Sequence, residues 1–277
     1  MSASRASRPA RSRARLGQHF LVDRGALRRI VDALEPATGS PVLEIGPGRG
    51  ALTQPLVERA GRIAAIELDA RLAQQLRERF PPEQLALVTA SVLEVDLAAV
   101  APLLGWPPRT PLLVAGNLPY GISKPVARKL VDERAAVERA VLMFQKEVAD
   151  RLCASPGERA YAPLTVLVTL AYAVTRVIEL PPRAFRPAPA VHSTVTRWIP
   201  RSPSLLEPSL EPRLLAALAA SFARRRQTLH NNLRAALGSA AASASVLEAA
   251  GLEPGRRAES VAPEGFLALA RVWPAPL

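Results

Sequence analysis

Asn117-Leu118-Pro119-Tyr120 is the segment of this sequence best suited to chemistry on an amine. An Asn carbonyl and a neighbouring backbone carbonyl can each accept one N–H of an exocyclic amine, which turns the nitrogen lone pair toward an electrophilic carbon. Positioning of this kind is most of what methyl transfer needs when the leaving group is already activated. Tyr120 adds an aromatic face on which a planar base can stack. A plain turn capping the next helix is the simpler alternative. A second aromatic, Phe185, opens Phe185-Arg186-Pro187-Ala188-Pro189-Ala190-Val191-His192-Ser193, where prolines stiffen the chain. Phe185 is expected to stack on the same base, drawn out of its strand, with core packing as the alternative. Lys146 and Glu147 are a further candidate pair, but a solvated helix start suits them better.

A second constellation lies upstream. Val42-Leu43-Glu44-Ile45-Gly46-Pro47-Gly48-Arg49-Gly50 reads as a strand, an acid and a glycine-rich turn leading into a helix. Glycines let the backbone approach a ligand closely. The spacing is G-x-G-x-G and residue 51 is Ala, so the strict dinucleotide fingerprint G-x-G-x-x-G is not met. The next strand ends in Ile66-Glu67-Leu68-Asp69, placing Glu67 where a carboxylate can accept both ribose hydroxyls, while Asp69 fits the start of the following helix. Strand, Glu, glycine turn, helix, strand and Glu together favour S-adenosylmethionine over other nucleotides.

Positioning these groups requires an alternation of short apolar runs and amphipathic stretches. Residues 41–46, 62–69, 85–92, 111–115 and 140–145 read as strands, and 51–60, 71–80, 125–134 and 146–154 as the helices between them. Leu27, Ile30, Val31 and Leu34 recur at helical spacing ahead of them, closed by Pro36 and Gly39. The rhythm predicts an α/β fold with a doubly wound, Rossmann-like, mostly parallel sheet. Residues 165–180 are ambiguous between helix and strand, and 192–199 read as another strand. The Pro/Ser-rich stretch 201–212 reads as a linker between a domain at 16–200 and a helical one at 213–277. In the latter, Leu215, Leu218, Phe222, Leu229 and Leu233 share one helical face, which puts Arg224, Arg225 and Arg226 inside a helix. Residues 245–250 and 263–272 are helical in pattern as well.

Composition narrows the partners. Lys+Arg 36 against Asp+Glu 24 gives +12, mostly from Arg, whose planar fork suits phosphate and stacks on bases. Residues 1–15 carry five Arg and no acid and read as a disordered basic arm rather than a transit peptide. With one cysteine, Cys153, no internal disulfide can form, and a reducing cytosol suits the chain. Three His without H-x-x-x-H or C-x-x-C spacing predict no metal site. No apolar run approaches the ~20 residues needed to cross a bilayer.

The chain resembles the KsgA/RsmA family of bacterial small-subunit rRNA adenine dimethyltransferases. The resemblance is carried by Leu16-Gly17-Gln18-His19-Phe20-Leu21, V-L-E-I-G-P-G, I-E-L-D, G-N-L-P-Y-x-I-S, Q-K-E-V-A-x-R-L, F-x-P-x-P-x-V-x-S, F-x-x-R-R-x-T-L-x-N-N-L at residues 222–233 and Arg257-Ala258-Glu259-Ser260. It implies transfer of two methyls from S-adenosylmethionine to each of two adjacent adenosines in a hairpin loop near the 3′ end of 16S rRNA. It further implies a monomeric cytoplasmic enzyme, without metal or membrane, working on the maturing small ribosomal subunit. By resemblance His19, Leu21, Gly46, Glu67, Ser91 and Asn117 bind the cofactor. Asn117, Leu118, Pro119, Tyr120 and Phe185 form the target-base site, and Arg224, Arg225 and Arg226 contact RNA. The family usually carries Asn at His19 and Asp at Ser91, and R-R-K-T-L-R where this chain has Arg225-Arg226-Gln227-Thr228-Leu229-His230. Alternatives are a 23S rRNA adenine methyltransferase of the macrolide-resistance type and a ribosome-assembly factor without catalysis. A dehydrogenase fits less well, given Ala51 and the Asn-Leu-Pro-Tyr tetrad.

Overall fold

Along the central strands, successive residues are buried on opposite sides. Val42, Ile63 and Leu113 join one core, and Leu43, Ala64 and Val114 the other. A strand buried on both faces is what a parallel sheet sandwiched by helices requires. The computed structural model describes residues 19–274; the basic arm expected at residues 1–15 lies outside them. In chain order the strands are β1 (Phe20–Leu21), β2 (Val42–Ile45), β3 (Ile63–Glu67), β4 (Leu85–Thr89), β5 (Leu112–Asn117), β6 (Val137–Gln145), β7 (Tyr172–Leu180), β8 (Phe185–Arg186) and β9 (Ser193–Pro200). The helices are α1 (Arg24–Leu34), α2 (Thr53–Ala60), α3 (Ala70–Arg79), α4 (Ser123–Asp132), α5 (Lys146–Leu152), α6 (Pro163–Ala171), α7 (Glu211–Ser221), α8 (Leu229–Leu237), α9 (Ala240–Ala249) and α10 (Pro263–Val272).

The main sheet runs β4-β3-β2-β5-β6-β9-β7, parallel from β4 to β6, with β9 antiparallel to β6 and β7 antiparallel to β9. Strand order reverses between β2 and β5, and such a switch point opens a crevice at the carboxyl ends of the strands. Gly116 lets β5 lie this close to β2, because a Cβ there would meet the Ile45 carbonyl oxygen at 2.8 Å. One face carries Ala26, Ile30 and Val31 of α1 with Leu56 of α2 and Leu76 of α3. The other carries Val126 and Leu130 of α4 and Val166 and Leu170 of α6.

That second core continues without a break into the C-terminal helices through Leu214, Leu218, Leu229 and Phe266. Phe222 bridges the two regions, with ring centroids 6.3 Å from Tyr161 and 5.6 Å from Phe266. The segment read as a linker is partly packed: Leu206 is buried, and Arg134 Nη2 donates to its carbonyl at 2.7 Å. The ambiguous stretch resolves into two elements, α6 and then β7.

One continuous helix through Arg224, Arg225 and Arg226 is not what forms. α7 stops at Ser221 and α8 starts at Leu229, leaving the three arginines in the connecting loop. The buried Asn232 side chain causes the break, donating to the carbonyls of Ser221 (2.7 Å) and Arg224 (3.1 Å) while Arg224 N donates to its Oδ1 (3.2 Å). Thr228 then caps α8, its hydroxyl accepting from Asn231 N. Leu214, not Leu215, faces the core, and Leu215 is exposed.

Candidate active site

The glycine turn after β2 forms the floor of the crevice. Gly46 and Gly48 have φ of +66° and +59°, a region that favours glycine. A Cβ on Gly48 would lie 3.0 Å from Phe20 Cε1, so the β1 aromatic lies directly over the turn, and the Arg49 guanidinium sits 4.4 Å from the centre of the same ring. β1 is held there by antiparallel pairing with β8, Phe20 opposite Arg186 and Leu21 opposite Phe185. The resulting cleft, about 610 Å³ and open to solvent, is lined by His19, Leu21, Gly46, Glu67, Asn117 and Pro119 among others.

Glu67 ends β3 and is buried, and both its oxygens are engaged: Gly48 N donates to Oε2 (3.0 Å) and Asp69 N to Oε1 (2.9 Å). Each oxygen keeps a lone pair for a further donor. Asp69 takes the helix-start role, accepting from Arg71 N and Leu72 N at the head of α3. Glu44, part of the sequence signature but given no role of its own there, also lines the cleft. It is buried and accepts from Thr53 Oγ1 at 2.6 Å. Burial pushes its carboxyl up to about 8, against the Thr53 hydrogen bond and with the nearby Glu67 charge adding to the rise.

Across a shared wall of Gly46, Glu67 and Pro119 lies a second, mainly apolar slot of about 500 Å³, lined also by Ile66, Leu68, Val92, Ile122 and Ser91. Ser91 Oγ accepts from Leu93 N at 3.3 Å. The two spaces form one groove along the ends of β2, β3 and β4. The slot's apolar walls suit a planar base, the two free Glu67 lone pairs suit vicinal hydroxyls, and the glycine turn suits a close-lying polar tail. S-adenosylmethionine has this sequence of groups.

Asn117 is the last residue of β5, at the mouth of the cleft. Its Nδ2 donates to the His19 carbonyl oxygen at 2.9 Å. Because a carbonyl only accepts, this bond fixes the amide orientation and leaves Oδ1 free as an acceptor. Leu118 is buried and anchors the turn, and Pro119 faces the cleft. The Tyr120 hydroxyl lies 3.3 Å from Ser193 Oγ, and its ring centroid is 5.4 Å from that of His19. His19 Nδ1 is 2.8 Å from the Pro187 carbonyl, so it is Nδ1 that carries the proton.

Phe185 does not line the cleft or the space beside Tyr120. It is 1% exposed, packed in the core with Leu21, Ala184 and Val195, and its pairing with Leu21 turns the ring inward. As arranged, it offers no free face to a base, and His19 is the aromatic neighbour of Tyr120. Lys146 and Glu147 do not pair with each other: Lys146 Nζ meets Glu179 at 2.6 Å and Glu147 meets Arg151 at 3.1 Å. In the α7–α8 loop Arg225 donates to the carbonyls of Arg159 and Tyr161, while Arg224 and Arg226 are exposed. The described residues contain no cluster able to hold a metal.

The family described as "Ribosomal RNA adenine dimethylase" matches residues 10–273. A relative named ribosomal RNA small subunit methyltransferase A, from Acidobacterium capsulatum, is 46% identical over 261 residues, 94% of this chain and 89% of its own length. The protein of the same name from Aromatoleum aromaticum is 39% identical over 94% of this chain and 93% of its own. Among solved structures, a dimethyladenosine transferase from Plasmodium falciparum superposes with a TM-score of 0.76 at 27% identity, covering 91% of this chain and 96% of the other. The 23S rRNA methyltransferase ErmE gives 0.68 at 28% identity, covering 91% and 98%. The chain belongs to the ribosomal RNA adenine dimethylase family.

Proposed function

We propose that this chain dimethylates the N6 amines of two adjacent adenosines in the 3′ hairpin loop of 16S rRNA, on the maturing small subunit. It uses S-adenosylmethionine, which supplies a methyl activated by its sulfonium. In this reading His19, Leu21, Gly46, Glu67, Ser91 and Asn117 hold the cofactor, Glu67 taking the two ribose hydroxyls and Ser91 lying against the adenine. Asn117 Oδ1 accepts one N–H of the target amine and a backbone carbonyl of the Asn117–Tyr120 turn accepts the other. The lone pair then points at the methyl, and the base rests on Tyr120. Arg224 and Arg226 take phosphates. The reading includes a catalytic unit at 16–200, a helical unit at 213–277 and a monomer acting in the cytoplasm.

The observation that carries the reading is the Asn117–His19 hydrogen bond. It presents an oriented acceptor where the cofactor cleft meets an aromatic face, which is the arrangement amine methylation requires. The test is transfer of radiolabelled methyl to undermethylated small subunits and, separately, to large-subunit RNA, followed by nucleoside analysis. N6,N6-dimethyladenosine in small-subunit RNA alone is expected. Label confined to large-subunit RNA, or no label, refutes the reading.

A further inference from the structure

A third space lies at the same edge of the sheet, one strand beyond the switch point. Counted with the solvent space at its mouth it measures about 610 Å³, and it opens between the turn after β5 and the end of β6, walled by Tyr120, Lys124, Gln145, Glu147, Val148 and Arg151. The apolar slot lies at the ends of β3 and β4, the methyl-transfer cleft at β2 and β5, and this pocket at β5 and β6. The three follow one another along the sheet edge, and the last two are joined by the consecutive residues Pro119 and Tyr120. None of the cofactor residues lines the third pocket.

The side chains here suit a nucleotide. The Lys124 ammonium is exposed and forms no ion pair among the described residues, and the pocket's acid, Glu147, pairs with Arg151 instead. Gln145 ends β6, half-buried, and its amide makes no hydrogen bond among the described residues. An amide offers a donor and an acceptor side by side, the combination that pairs bidentately with the amine and a ring nitrogen of adenine. Arg151 is the second cation and is held in place by Glu147 (3.1 Å). Val148 and Pro125 supply an apolar floor.

We infer that this pocket holds the RNA nucleotide next to the target adenosine, with Gln145 reading its adenine edge and Lys124 taking its phosphate. The inference rests on the methyltransferase reading above. A base drawn out to reach Asn117 brings its neighbour along the same backbone, and the pocket beyond Tyr120 receives it without crossing the cofactor cleft. Gln145 and Lys124 are then positioning residues that set which adenosine lies over the cleft.

The test uses the full chain and small subunits reconstituted with a ligated 3′ rRNA segment, either all-adenosine or with the neighbouring adenosine replaced by purine riboside, which lacks the N6 amine. For the unaltered enzyme, the replacement is expected to lower kcat/KM at the target about tenfold, the size of one bidentate amide–adenine pair. Gln145→Ala is expected to lose about the same factor on all-adenosine RNA and to lose nothing further on the purine-riboside RNA. Lys124→Ala is expected to reduce the slope of log K against log[salt] by about 0.7, the share of one phosphate on a single strand. Cofactor affinity, read by calorimetry, stays unchanged in both variants. If Gln145→Ala and the riboside replacement act additively, or if neither variant differs from the parent, the pocket assignment is overturned while the methyltransferase reading stands. If the unaltered enzyme transfers no methyl to small-subunit RNA, both are overturned.

Discussion

Replacing Ser91 with Asp puts a carboxylate on the wall of the apolar slot. Ser91 Oγ already accepts from Leu93 N at 3.3 Å, and an Asp can keep that bond with one oxygen and offer the other to the N6 amine of the cofactor's adenine. Hydrogen bonds to charged groups contribute about 1.5–3 kcal/mol against about 1 for neutral ones, so the substitution is expected to add about 0.5–2 kcal/mol. Ser91 is only half-buried and Glu67 lines the same slot, and both facts hold the gain toward the lower end. In dissociation constant this is roughly a 2- to 30-fold tightening, within reach of titration calorimetry. Glu67, the acid in the slot's lining, is assigned to the ribose hydroxyls in the proposed reading. Asp96 is committed to Ala98 N at 2.9 Å, and neither Asp96 nor Glu94 lines the slot. The control is the cofactor analogue whose N6 amine is replaced by hydrogen, for which the gain should largely vanish. The reasoning is refuted by an unchanged affinity in Ser91→Asp, by a gain that survives loss of the amine, or by weakened binding in Glu94→Gln.

Asn117→Ala should lower kcat at saturating cofactor by about 10² or more, as for loss of one positioned acceptor; near-normal turnover removes Asn117 from the chemistry. Glu44 keeps its proton in the folded chain up to about 8, whereas the unfolded chain releases it near 4.5. The unfolded state therefore binds fewer protons between these values, and stability is expected to fall as pH rises across this window, by up to roughly 5 kcal/mol. Urea unfolding at pH 5 and pH 8.5 should show this drop shrink in Glu44→Gln, and equal drops in the two proteins contradict it. Phe185→Ala removes a core ring and should cost about 3–5 kcal/mol in the same assay. An unchanged midpoint together with poor RNA engagement would instead restore a stacking role. In the α7–α8 loop the arginines should separate: Arg225→Ala lowers stability by about 1 kcal/mol, discounted for its exposure. Arg224 and Arg226 changed together should leave stability alone and reduce the salt slope of RNA binding by about 0.7–0.9 for each phosphate no longer neutralised; the reverse pattern refutes the assignment.

Much of the molecule was legible where local patterning and tertiary packing agree. Residues 41–46 and 62–69 are apolar runs bounded by turns, and they became β2 and β3 with little change of boundary. The glycine turn and Glu67 were readable because their backbone conformation and charge have few other uses. Residues 165–180 were not readable: almost every side chain from Thr165 to Ala171 is buried, so no helical stripe distinguishes α6 from the strand that follows. The arginine loop is illegible in the sequence for the opposite reason. Apolar spacing ran smoothly from Leu218 to Leu233, while the break comes from Asn232, a side chain that reaches back to close the end of the preceding helix. The Gln227-Thr228-Leu229 step, with Thr as a helix cap, was the available signal. Phe185 was read by its motif, but its direction is set by pairing with Leu21, a partner no local pattern can name.

That pairing also dates the moment at which the site can exist. The aromatic over the glycine turn belongs to β1, and β1 has no partner but β8 among the described residues; the same bridge is made again by His19 to Pro187, 168 residues further along the chain. During synthesis at about 5–20 residues per second, Phe20 and Leu21 wait roughly 10–30 s for the segment that holds them over the cleft. The first strands and helices can form in that interval, but the groove they outline lacks its cover. A nascent chain cannot complete the β1–β8 pairing over this cleft until β8 has emerged, so closure of the cleft is a late event of synthesis.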